Sequence, residues 1–187
     1  TARDNIDKAK QALTTSANAA QSKVNSNVKA TPVGDKTNLT SEEQDSIKKA
    51  VEDANKDNDV KSVTVDPKSG EVTVEFNDGS KATIPASKTT TDTNKTRLKN
   101  DLDDSKTDAT KAIHDKASTA TKEAYDKAVS AGQTVFDNDK ASQKAIDDAA
   151  DAIENAKKAM EDSANAAQSK VNTNIDKTAV GNKDALT

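Results

Sequence analysis

The chain has 187 residues: 32% are apolar, 2% aromatic and 32% charged, and the formal net charge is −4. Two Phe, one Tyr and no Trp exclude a thick core and leave thin Ala-lined helix contacts and small sheets as the ways to bury surface. Near-balanced charge without stacking aromatics argues against nucleic acid as a partner; no apolar run is long enough to insert in a membrane, and the absence of Cys removes disulfides and thiolate chemistry.

In chain order, residues 4–28 read as an Ala-rich helix, with Ile6, Ala9, Leu13, Ala20, Val24 and Val28 at three-and-four spacing. Thr31-Pro32-Val33-Gly34 breaks it. Next, Thr40-Ser41-Glu42-Glu43 has the form of a capping box, because Thr40 can cap the helix while Glu43 reaches back. Ile47, Ala50, Val51 and Ala54 share the face of the helix so opened. After Asp59 the apolar period switches to two, at Val63 and Val65, then Val72, Val74 and Phe76, then Ala82 and Ile84. Asp66–Gly70 supplies one turn and Asn77-Asp78-Gly79-Ser80 another, with Asp-Gly suited to a type I′ hairpin. The expectation is a helix on a three-stranded antiparallel meander with Phe76 as the plug and one sheet face buried.

Residues 87–96 read as a Thr-rich polar linker. Three helices are predicted beyond it. The first carries Leu98, Leu102, Ala109, Ala112, Ile113 and Ala120, with a break expected near Ser118. The second carries Ala124, Tyr125, Ala128, Val129, Val135 and Phe136. The third starts near Ala141 or Ser142 and shows Ile146, Ala149, Ile153, Ala156, Met160, Ala167, Val171 and Ile175. The predicted fold class is α+β, mainly α: a small helix-on-meander unit joined to an elongated three-helix bundle.

A repeat sets the organisation. SANAAQSKVN occurs at Ser16–Asn25 and again at Ser163–Asn172, and Asp4–Thr40 aligns without a gap on Asp151–Thr187, about 147 residues later, with about 22 of 37 positions identical. Ile6 falls on Ile153 and Leu13 on Met160. The period predicts one full repeat plus the opening of the next in a longer array. The expected division is 1–30 as the last helix of a preceding repeat, 31–86 as helix plus meander, 87–96 as linker, 97–177 as bundle and 178–187 as the link onward.

Two resemblances follow from these residues. Thr121–Val129, Val135-Phe136-Asp137-Asn138, Ala141-Ser142-Gln143 and Ile146–Ile153 make residues 97–160 resemble a FIVAR module, a three-helix bundle repeated in Gram-positive surface proteins. The first helix matches that family only loosely. Asn38–Gln44, Val72–Gly79 and Thr83-Ile84-Pro85 make residues 38–86 similar to segments adjoining Rib-like repeats of streptococcal and lactobacillar adhesins. Both resemblances imply a cell-wall-anchored, extracellular, multi-repeat setting, and neither identifies a ligand.

Candidate chemistry is sparse. His114 is the only histidine and lacks the second His or Cys that a zinc site needs. Asp137-Asn138-Asp139 begins like a calcium loop, but Ala141, Ser142 and Asp148 stand where the pattern needs an oxygen ligand, Gly and Glu. Asp53, Asp57 and Asp59 suit a helix-to-strand turn, and Asp101, Asp103 and Asp104 suit a solvated face. An isopeptide bond would have to draw on Lys61, Lys81, Asn77 and Glu75, in a unit too small to bury them. The expectation is no enzyme, no catalytic residue, no metal and no cofactor.

One surface remains. Thr64, Glu71, Thr73, Glu75, Lys81 and Thr83 should line the open face of the meander, a place where a peptide could add to the sheet. The expected role is a stalk or spacer repeat of a surface adhesin, with adjacent repeats as partners. The alternative is weak multivalent binding of host matrix or mucin proteins by the repeats themselves.

Overall fold

The computed structural model describes residues 1–171. Helix α1 (Ala2–Lys23) leads to strand β1 (Thr31–Val33), helix α2 (Ser41–Ala54) and strands β2 (Val60–Val65), β3 (Val72–Phe76) and β4 (Lys81–Ile84). A single turn, α3 (Ala86–Thr89), enters strand β5 (Thr90–Asp92). Helices α4 (Thr96–Asp104), α5 (Asp108–Lys116), α6 (Thr119–Asp137) and α7 (Gln143–Ser169) follow. The α+β, mainly α class stands.

The first core lies between the meander β2-β3-β4 and helices α1 and α2. Strict alternation places Val72, Val74 and Phe76 on one face of β3, all buried against Ile47, Val51 and Ala20. The predicted capping box of α2 forms: Glu43 N–H donates to Thr40 Oγ1 at 3.2 Å, and Thr40 N–H donates to Glu43 Oε2 at 2.9 Å. The second hairpin differs from the type I′ expectation. Among its non-strand residues only Gly79 has positive φ, at 79°. Gly79 N–H meets Phe76 C=O, and Phe76 N–H meets Ser80 C=O. That is a three-residue loop with glycine in the left-handed position, so Asp78 is spared that strain.

The ends of this unit correct the sequence reading. The helix predicted over 4–28 stops at Lys23, and Val24 turns extended at φ −73°, ψ 129°. The physical reason is that the backbone of Asn25 finds its hydrogen bonds on the side chain of Asn55 rather than in a further helical turn. The breaker Thr31-Pro32-Val33 is itself a strand, and the expected linker 87–96 contains its mate. β1 and β5 pair in parallel, Thr31 with Thr90 and Val33 with Asp92. Thr89 is buried, and its hydroxyl donates to Gly70 C=O at 2.7 Å. A polar stretch can be fixed structure where its polar atoms are all met.

The second core joins Leu98 and Leu102 of α4, Tyr125 of α6 and Ile146, Ala150, Ile153 and Met160 of α7. The bundle has three arms, the first of them broken. Thr107 caps α5 by accepting from Thr110 N–H at 3.2 Å, so the expected single first helix divides at Ser105–Thr107. A second break falls at Ala117-Ser118, beside the position expected from the sequence, with Ser118 capping α6. Gly132 lets α6 lie close to α7: a Cβ there would stand 2.7 Å from Ile153 Cδ1. Ser142 caps α7 by accepting from Ala145 N–H. Residues 172–177 of the expected bundle, with Ile175, and the expected link 178–187 lie outside the described residues.

Candidate functional site

The open face of the meander brings together five of the six residues assigned to it from the sequence. Thr64, Thr73 and Thr83 stand side by side across β2, β3 and β4. In the next row Glu75 lies between Ser62 and Lys81. A bulge between Val60 and Ser62 brings in a residue that the alternation did not place here: Lys61 Nζ meets Glu75 Oε1 at 2.6 Å, while Lys81 Nζ meets Glu75 Oε2 at 3.4 Å. The Lys61 hydrogen bond and charge, aided by Lys81, hold the Glu75 carboxyl below its usual range. Glu71 stands apart on the rim, exposed, in the turn before β3. The charges of this face answer one another, which leaves the threonine row as its open polar feature.

The edge of β4 beside that face is occupied. Gln21 on α1 donates through Nε2 to Thr83 C=O and accepts from Thr83 N–H, both at 3.0 Å. A side-chain amide thus takes the place of a neighbouring strand and blunts the edge. Lys23 pairs with Asp78 at 2.5 Å and lies 5.5 Å from the centre of the Phe76 ring. Two residues on, Asn25 N–H donates to Asn55 Oδ1 at 2.7 Å, and Asn55 Nδ2 donates to Asn25 C=O at 3.0 Å and Val51 C=O at 2.9 Å. Gln21, Lys23 and Asn25 therefore stitch the end of the repeated ten-residue string to the sheet unit. Sequence reasoning identified the repeated string without these contacts, since Gln, Lys and Asn at helix spacing look like surface.

A second junction joins the sheet unit to the bundle. Gly34, at the end of β1, lies against the carbonyl groups of Lys140 and Ala141, where a Cβ would overlap both. Gly34 N–H donates to Glu43 Oε1 at 3.0 Å, so the buried cap residue of α2 also fixes β1. Asp35 pairs with Lys140 at 2.8 Å. That hydrogen bond, with others from Thr37, holds the Asp35 carboxyl down at about 2. Gln143 repeats the amide clamp: its Oε1 accepts from Asn94 N–H at 2.7 Å and its Nε2 donates to Asn94 C=O at 3.1 Å. Lys95 Nζ donates to the carbonyl groups of Phe136 and Asn138, closing the end of α6.

The remaining candidates are separated. His114 Nε2 lies 3.2 Å from Asp126. Asp137 accepts from Gln133, and Asn138 accepts from the Lys140 N–H, as a helix end and turn require. Asp53 pairs with Lys49, and Asp59 accepts from Asn77. Asp103 faces Lys99 and Lys106, whereas Asp104 faces Lys157 and Thr110. Burial, then the nearby Glu154 charge, raises Asp101. Lys61 and Lys81 both go to Glu75 while Asn77 goes to Asp59, so neither of these lysines faces Asn77 in the way an isopeptide bond needs. Among the described residues no group of three His, Asp or Glu side chains converges as a metal site, and no helix is long and apolar enough to cross a membrane.

With this geometry in view, comparison with known proteins bears on one module. Residues 22–93 match the family model of the atypical Rib domain. The match covers 72 of the 187 residues, and its limits take in Lys23 and Asn25 of the stitched segment and strand β5. It stops short of the bundle, so the likeness of residues 97–160 to FIVAR modules rests on the sequence pattern alone. No curated protein matches the chain. Among solved structures, the SrpA adhesin from Streptococcus sanguinis aligns at 28% identity over 35% of this chain and 33% of that one, with a TM-score of 0.33. The chain spans about a third of that adhesin's length.

Proposed function

We propose that the chain is a spacing repeat of an extracellular, cell-wall-anchored adhesin, serving to hold a distal binding domain away from the cell. One observation carries this reading: the sheet unit is clamped on both sides, to α1 through Gln21, Lys23 and Asn25 and to the bundle through Gly34, Asp35 and Gln143. A spacer needs modules whose relative positions are fixed by packing rather than left to a free linker. Low aromatic content and self-paired surface charge fit a surface built for solubility. The atypical Rib match supports the same setting. Small-angle scattering on one-, two- and four-period chains tests it. The largest dimension is expected to rise linearly with the number of periods; growth as the square root, the behaviour of freely jointed units, contradicts a spacing role.

The threonine row favours a second reading, in which Thr64, Thr73 and Thr83 with Glu71, Glu75 and Lys81 contact host matrix or mucin proteins weakly in every repeat. Multivalency would raise feeble contacts to useful avidity. The same four-period chain in a matrix-protein capture assay separates the two, since retention lost on changing the three threonines to lysine belongs to binding and not to spacing.

A further inference from the structure

The two copies of the repeat occupy complementary surroundings. On α1, Ile6 and Leu13 are 56% and 73% exposed. Their counterparts on α7, Ile153 and Met160, are 1% and 0% exposed in the bundle core. Ser16 and Ala17 are likewise exposed, whereas their counterparts work: Ser163 Oγ accepts from Ser118 N–H at 2.9 Å and Ala164 is buried. The opposite holds at the other end. Ala20 is buried and Gln21, Lys23 and Val24 meet the sheet unit, while Ala167, Gln168 and Lys170 are exposed and Val171 is 58% exposed. Each copy therefore uses the half of its surface that the other leaves open.

Charge follows the same pattern. In the bundle, Arg97 grips Glu154 through two hydrogen bonds of 2.9 and 2.8 Å and also meets Asp151, while Lys157 meets Asp104 at 2.8 Å. The aligned residues of α1 are Asp7, Asp4 and Lys10. An acid pair for the arginine and a lysine for the aspartate thus survive on a helix that has no bundle beside it. Moreover, Met160, Ala164 and Ala167 recur at spacings of four and three on α7, with Val171 four residues on, just past the helix end, so that the bundle interface runs on into the exposed residues.

We infer that this helix is a shared element in the array: its first half completes one bundle and its second half completes the next sheet unit. The occupant of the Ile6–Leu13 face is a preceding copy of α4, α5 and α6. The occupant of Ala167–Val171 is a following copy of the meander. Consecutive repeats are then coupled along one helical face, with the two docking centres, at Ile153 and Ala167, about 21 Å apart at 1.5 Å per residue. This rests on the array reading above and goes beyond it by assigning the residues of the contact.

A two-period chain, residues 1–150 joined directly to 4–187, tests it because the join keeps the repeat in register. Leu13→Ala is placed either in the leading helix or at the join. The join variant is expected to lower the melting temperature of the first bundle by at least about 8 °C, and to cut its amide-exchange protection. The leading-helix variant is expected to leave both unchanged. A milder pair guards against simple misfolding: Asp7→Lys at the join lowers the melting point, and adding Arg97→Glu in the first bundle restores it. Equal effects at the two positions, with no rescue by the charge swap, overturn the shared helix. Scattering reads the spacing function separately, so a chain that is extended yet indifferent to these changes refutes the contact alone.

Discussion

Asn55 shows how single residues hold this protein. It is fully buried and uses both ends of its amide on the backbone, at Asn25 and Val51, while Oδ1 also accepts from Asn58 Nδ2 at 3.0 Å. Asn55→Ala would leave the N–H and C=O of Asn25 without their partners. The expected loss is about 1–3 kcal/mol, the usual penalty for polar groups left unmet, read by urea unfolding of the whole chain. A loss below about 0.5 kcal/mol would show that water replaces the amide without cost. Nothing in the one-dimensional pattern distinguishes Asn55 from Asn58 or Asn77, which lie at the surface or near it. By contrast Phe76, Val72 and Val74 were legible, because alternation is a local property and burial of one sheet face follows from it directly.

At the scale of elements the same division appears. The capping box at Thr40 and Glu43, the α7 stripe and the threonine row of the meander face could each be read in the sequence, because each repeats at the period of its own element. Strands β1 and β5 could not. They have three residues each, one contains Pro32, and their pairing spans the unit, so no period is long enough to register. The close approach at Gly34 was invisible for a similar reason, since its cause lies on Lys140 and Ala141. Gly34→Ala is therefore expected to disrupt the junction while sparing each core: backbone NMR shifts should move in β1 and at Asp139–Gln143 but not at Val74 or Ile153. Shifts spread through both cores would contradict a local junction. Acid works on the same contact. Because Asp35 is held below its unfolded value of 3.8, the stability it contributes is present above that value and is lost as pH falls through about 2. The Asp35–Lys140 pair should thus open over that acid range, and Asp35→Asn should remove that part of the dependence.

Across the whole molecule, two modest cores are joined by polar clamps instead of by a third core. Each core alone is thin, as the low aromatic content required. What the composition left open was how such thin modules stay aligned. Two glutamine clamps on backbone, one buried asparagine, a glycine contact and the Asp35–Lys140 pair supply the answer. Together these contacts fix the sheet unit relative to the bundle. The natural absence of cysteine lets two spin labels be placed uniquely, one at exposed Thr64 on the meander and one at exposed Lys127 on α6. Pulsed electron resonance should return a single narrow distance distribution, unchanged when the labelled period is placed inside a longer array. A broad or multi-peaked distribution would contradict the account.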